Sequence, residues 1–265
     1  METGTAVSAP HPRHDLFGLP FDALTMTQAM DRCRAAIQGG EYLSVGVVNA
    51  AKVMTMRRDS QLREAVTGCE MVLADGQSVV WASRMLRAPL PERVAGIDLF
   101  LELLAEAARK AYRVYFLGAR RDVLARMLEE IHRRFPGLQV VGARDGYFGP
   151  GEEPAVAEEI RMSEADLLFV GMSSPKKELF LDRWGKTTRA RVVHGVGGSF
   201  DVLAGLTSRA PLWWQRRGLE WLYRALQEPL RLGPRYLKTN FSFIALVARE
   251  ALRRRTDRGA PGDSR

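Results

Sequence analysis

Short apolar runs alternating with amphipathic stretches constrain this chain more than any other feature of its sequence. Residues 42–49, 71–74, 113–117, 138–143, 166–171 and 190–195 read as short buried strands. Between them, 51–66, 98–111, 122–135, 154–162 and the stretch from Glu178 onward carry helical periodicity. This alternation predicts an α/β fold, a mostly parallel sheet with helices on both faces. Such sheets bind ligands beyond the carboxyl ends of their strands. The candidate residues are therefore those that follow the strands: Asn49, Asp75, Gly118, Tyr147, 173–177 and 197–201.

With 265 residues, 46% of them hydrophobic, the chain suits one medium domain with an appendage. Residues 1–17 lack the basic start and apolar run of a signal peptide and read as a flexible leader. The body is expected over 18–204. Beyond it, 205–265 is rich in Trp and Arg and reads as a helical appendage. That segment holds 13 basic against 5 acidic residues and so carries the whole net charge of +8. A neutral body with a basic tail points to an anionic partner: nucleic acid, anionic lipid or pyrophosphate. Trp213, Trp214, Trp221 and Tyr223 interleave with Arg216, Arg217 and Arg224 at helical spacing. This suits a helix lying in a membrane interface, and equally a terminal helix packed on the body. Sheet-like spacing, the usual platform for stacking RNA bases, is missing. No apolar run approaches the ~20 residues that span a bilayer.

Three glycine turns, at Gly118, at Gly171 through Ser174 and Pro175, and at Gly197-Gly198, follow strands and precede helices. Their N–H groups suit a phosphate. None fits G-x-G-x-x-G or the P-loop, which argues against a nucleotide-dependent dehydrogenase. Asp75 ends a strand beside apolar neighbours, a setting that raises a carboxylate's pKa and suits a general base; a helix N-cap is the other reading. Arg93, in a loop before a helix, suits a phosphate or carboxylate, or is a surface arginine, with Asp98 as the N-cap of that helix. No Asp-x-Asp is present, and His11, His14, His132 and His194 lack metal-ligand spacing, so no metal and no cofactor is expected. His194 reads as a core or supporting residue. Cys33 and Cys69 form no C-x-x-C pair and read as small hydrophobes of a reducing compartment.

The order of these pieces resembles the WecG/TagA/CpsF glycosyltransferases from about Gly18 to Tyr236. The motifs are Asn49; Ala74-Asp75-Gly76; Arg93-Val94-Ala95-Gly96; Ser174-Pro175-Lys176-Lys177-Glu178; Gly197-Gly198-Ser199-Phe200-Asp201; Arg209-Ala210-Pro211; and Gly218-Leu219-Glu220-Trp221. The resemblance implies a Rossmann-like body with a C-terminal, membrane-associating helical appendage. It implies inverting, metal-independent transfer from a UDP-sugar to an undecaprenyl-pyrophosphate-linked sugar at the cytoplasmic face of the membrane. Asp75 is then the base, Asn49 positions the sugars, and Arg93 contacts phosphate or sugar. Arg224 and Arg231 resemble the arginines that reach the leaving diphosphate. Lys177, Phe200 and Asp201 fall within motifs expected at the substrate.

Two positions depart from the family pattern. Val47 stands where Thr is common, and Lys177 where Gln is common. N-acetylmannosamine, glucose, glucuronic acid and N-acetylmannosaminuronic acid all stay open as donor sugars. The competing reading is a non-catalytic nucleotide- or RNA-binding protein with a basic arm. Among partners, a homo-oligomer is open and nucleic acid is not expected.

Overall fold

The structure, a computed structural model, describes residues 12–227 and 229–259, with side chains excepted at 150, 212, 216, 221, 224, 225, 227, 229–238 and 255–259. It opens with a hairpin, β1 (Arg13–Leu16) and β2 (Leu19–Asp22), that pairs Leu16 with Leu19 across Phe17-Gly18. Both turn residues have positive φ, 61° and 69°, as a two-residue hairpin turn needs. The expected leader thus divides. Residues 1–11 lie outside the described residues, and Arg13–Leu16 is a paired strand.

The order continues with α1 (Met26–Gly39), β3 (Leu43–Val48), α2 (Ala50–Met56), α3 (Ser60–Thr67), β4 (Met71–Ala74), α4 (Gln77–Met85), α5 (Gly96–Lys110), β5 (Arg113–Gly118) and α6 (Arg121–Arg134). After these come β6 (Gln139–Arg144), α7 (Glu153–Met162), β7 (Leu167–Gly171), α8 (Lys176–Trp184), β8 (Val192–Gly195), α9 (Ser199–Leu203), α10 (Leu212–Arg216), α11 (Glu220–Gln227) and α12 (Pro229–Gly259). The strands β3 to β8 form one sheet, in the order β4-β3-β8-β7-β5-β6, and every pair in it is parallel.

Side chains alternate between two covered faces, as a parallel sheet requires. Leu73, Val45, Phe116, Phe169 and Val192 turn to one face, against α1, α5 and α6. Val72, Val48, Tyr115, Leu168 and Val193 turn to the other. There α2, α3 and α4 cover one half of the sheet, and α7 and α8 the other half. The C-terminal helix joins the same layer. Phe243 and Val247 of α12 are buried, and Phe243 meets Phe17 edge-on at 5.4 Å.

Two local expectations change. The helix read over 51–66 is two helices, because the Asp59 carboxylate accepts the Leu62 N–H at 2.9 Å and caps a new one. Asp98 lies inside the first turn of α5, whose N-cap is Ala95. Cys33 and Cys69 are free, and burial pushes their thiols up to about 12 and about 11.

Gly118 and Gly171, at the ends of the neighbouring strands β5 and β7, lie against each other. A methyl on Gly171 would overlap the Phe200 ring, which is fully buried and packed on Phe100 and Phe116. Gly171→Ala is therefore expected to cost about 1–3 kcal/mol through overpacking. Urea unfolding measures this, and an unchanged midpoint would show that the ring gives way freely.

Candidate active site

The carboxyl ends of β3, β4 and β8, with the loop after β7, open into a cavity of about 380 Å³. Asn49, Asp75, Arg93 and Lys177 line it, together with Gly197-Gly198. The appendage closes one side with Gly218, Glu220 and Asn240.

Asp75 follows β4, and its N–H donates to the Val48 carbonyl of β3 at 3.0 Å. Its carboxylate does not cap the helix that follows it. The N-cap of α4 is Gly76, which makes no side-chain bond. Instead Asp75 Oδ1 accepts the N–H of Gly96, the first residue of α5, at 2.9 Å. Asn49 Nδ2 reaches the other oxygen at 3.5 Å. One oxygen thus serves the start of a helix distant in sequence, while the side chain lines the cavity. Asn49 is itself a cap, since its Oδ1 accepts the Lys52 N–H at 3.0 Å.

His194 supports this arrangement from β8. It is fully buried, and burial holds its imidazole down to about 4, so the ring is neutral. Nε2 lies 3.0 Å from the Gly96 carbonyl, which only accepts, so Nε2 carries the proton. Gly96 itself is tightly placed. A Cβ there would stand 3.2 Å from Val47 Cγ2.

Two charge clusters flank the carboxylate. On the appendage side, Arg93 donates to Glu220 at 2.9 Å and stands 3.6 Å from Asp98. Asp98 takes two bonds from Arg209, at 2.6 and 2.8 Å. On the sheet side, Glu178 Oε1 accepts from Lys177 at 2.6 Å and from Lys52 at 2.8 Å. Burial, then the neighbouring Lys52, push the Lys177 ammonium down to about 8. Burial alone would raise Glu178, but Lys52 and Lys177 hold it down to about 2.

The other expected residues divide between the cavity and elsewhere. Ser174 lines the cavity, joined to Pro175 by a cis peptide bond. Gly118, Gly171 and Phe200 belong to the packing described above. Asp201 sits in the first turn of α9, half-buried. Tyr147 is 75% exposed and borders a separate hollow with Arg121, Arg144 and Asp145. The side chains of Arg224 and Arg231 lie outside the described residues. Sequence reading did not single out Lys52, Gly96 or Asn240 as site residues. Lys52 had a signal, three residues after a capping Asn. Gly96 and Asn240 enter through contacts between segments far apart in the chain.

A pH dependence follows from His194. The unfolded ring titrates near its ordinary 6.5 and the folded ring near 4. As pH falls from 6.5 to 4, the unfolded chain gains a proton that the folded chain refuses, so stability is lost, by up to about 3 kcal/mol. His194→Gln is expected to be less stable at neutral pH but to show a shallower fall across that window. Parallel curves for the two proteins in urea titrations at successive pH values would remove His194 as the cause.

The model of the glycosyl transferase family WecG/TagA/CpsF matches residues 14–257, from the first hairpin to the end of the last helix. With body and appendage both inside that match, the chain belongs to the WecG/TagA/CpsF family of glycosyl transferases.

Proposed function

We propose that this glycosyltransferase moves a hexose-type sugar from a UDP-sugar to an undecaprenyl-pyrophosphate-linked sugar, with inversion and without a metal, in assembling an exopolysaccharide, capsule or teichoic acid. The observation that carries this reading is Asp75, fixed by the Gly96 N–H through one oxygen and turned to the cavity. Asp75 takes the proton of the acceptor hydroxyl. That oxygen attacks the anomeric carbon from the face opposite the diphosphate. The bond from the anomeric carbon to the phosphate oxygen breaks, and UDP leaves with the electron pair. Charge gathers on the diphosphate as it leaves. Arg93, the appendage arginines Arg224 and Arg231, and the N–H groups at Gly197-Gly198 supply compensating charge where other transferases use a cation.

The appendage suits a lipid-linked acceptor. No helix among the described residues is long and apolar enough to cross a membrane. Trp213, Phe241 and Ile244 are 53%, 71% and 63% exposed, on the same basic segment whose Gly218, Glu220 and Asn240 wall the cavity. Exposed aromatic and aliphatic side chains among arginines match an interfacial surface. Docking on the inner face of the cytoplasmic membrane would bring the acceptor's pyrophosphate to the cavity mouth.

The test is UDP release from a panel of UDP-sugars, with a synthetic polyprenyl-pyrophosphate sugar and with chelator present. Acceptor-dependent release is expected to persist in chelator. Asp75→Asn should lower turnover by about 10²–10⁴-fold and leave UDP binding within a few-fold. Near-normal turnover in that variant would remove Asp75 as the base. A folded protein that binds UDP but turns over no donor would favour a nucleotide-binding role.

A further inference from the structure

Among the described residues, Arg93 is the arginine that lines the cavity, and its charge is the one offered there to a leaving diphosphate. Its backbone is fixed. The Val94 N–H donates to the Ala74 carbonyl at 2.9 Å, and Val94 and Ala95 are buried. That leaves the long side chain to be ordered, at a cost of up to about 2 kcal/mol in rotamer freedom. Two carboxylates stand within its reach. Asp98, in the first turn of α5, lies 3.6 Å from Arg93 Nη2. It is already engaged on both oxygens, by Arg209 Nη1 at 2.6 Å and Nη2 at 2.8 Å. Glu220, in the first turn of α11, accepts from Arg93 Nη1 at 2.9 Å. The guanidinium is therefore aimed by the appendage more than by its own segment.

Attraction for the ligand gives no reason for this carboxylate. Glu220 lines a cavity whose proposed ligand carries a diphosphate, and like charges repel. The side chains of Arg93 and Glu220 are 15% and 18% exposed, so solvent screens that repulsion only in part. A carboxylate there also offsets the charge of Arg93, which the diphosphate needs. What Glu220 supplies in return is direction. A guanidinium is a rigid planar fork of several N–H groups, so one of them on Glu220 leaves others to donate into the cavity at the same time. The position suits an anion, since the helix dipole favours a carboxylate in the first turn of α11.

We propose that Glu220 is a positioning residue of the transfer: it acts through Arg93, holding the guanidinium where the diphosphate departs. This rests on the glycosyl-transfer reading above and deepens it. A guanidinium that is not held still lends its charge to a bound donor, but it must be reoriented as the bond to the anomeric carbon breaks. A held one meets the growing charge without reorganising. Glu220 then matters more to turnover than to donor binding, and only while Arg93 is present.

The experiment is a double-mutant cycle on the full chain: Glu220→Ala, Arg93→Ala and the two together. It is read as acceptor-dependent UDP release from a donor that the wild type turns over. Glu220→Ala is expected to lower kcat about 10–100-fold and to change the donor KM by no more than about threefold. In the Arg93→Ala background the same change should cost less than about twofold. An equal loss in both backgrounds would overturn the proposal, placing Glu220 in the packing of the appendage. An unchanged or raised kcat in Glu220→Ala would overturn it too, leaving the carboxylate as a competitor of the diphosphate. Two milder variants decide the matter where Glu220→Ala does not fold. Glu220→Gln keeps the reach without the charge and should stay within about threefold of the wild-type kcat, whereas Glu220→Asp keeps the charge without the reach and should lose about tenfold. The reverse order would overturn the proposal. A folded wild type that binds UDP but turns over no donor would sink the transfer reading and the proposal with it, whereas additive losses in an active protein would sink the proposal alone.

Discussion

The peptide of Gly96 holds the site together. Its N–H is taken by Asp75 at the end of β4 and its carbonyl by His194 of β8, at 2.9 and 3.0 Å. In the sheet, β3 stands between those two strands. The start of α5 is thereby tied across three strands, and Asp75 cannot rotate without giving up a bond that would leave a helix N–H unpaired. Such a loss costs about 1–3 kcal/mol for a buried group. Only a neutral ring serves here, because a charged imidazole would be buried without a counter-ion. Burial of His194 and orientation of Asp75 are therefore one arrangement. Glycine at position 96 is part of it, since the helix start approaches Val47 too closely for a larger residue to enter freely.

Around this fixed carboxylate, cations are held by different means. Arg93 and Arg209 are anchored by Glu220 and Asp98, which link body and appendage across the cavity rim. These pairs are partly buried and geometrically good, so they orient the guanidinium more than they stabilise the fold. Lys177 and Lys52 are held by a single carboxylate, Glu178, with Asp75 close enough to act on Lys177 as well. The cavity thus has guanidinium groups held by carboxylates at one wall and buried ammonium groups at the other.

Much of this architecture was legible because buried parallel strands are short, apolar and followed by turns, so Asn49, Asp75, Lys177 and Gly197-Gly198 could be placed at strand ends from spacing alone. The first hairpin was not legible. Its strand 13–16 is largely polar, and its turn uses Phe17 at positive φ, held by the packing of its ring on Phe243. The break between α2 and α3 carries no glycine or proline, only an aspartate that turns out to cap. Glycines carry a different ambiguity. Gly118 and Gly171 read as phosphate turns, and in the structure two strand ends and a phenylalanine ring meet there. Sequence shows that a glycine is present, but not whether a ligand or a neighbour fills the space beside it.

The same distinction explains why the appendage belongs to the site and is more than a basic tail. Its charge pattern alone fits any anionic partner. The structure narrows this by placing Glu220 on Arg93 and Asn240 in the cavity wall, while Phe243 and Val247 root the long helix in the body beside the first hairpin. The long helix is buried at Phe243 and Val247 and exposes further apolar side chains at Phe241 and Ile244. Docking these on a membrane would leave Asn240 and Glu220 where they are. The appendage completes the cavity wall and holds Arg93 through Glu220, so a change that loosens it is felt at Arg93.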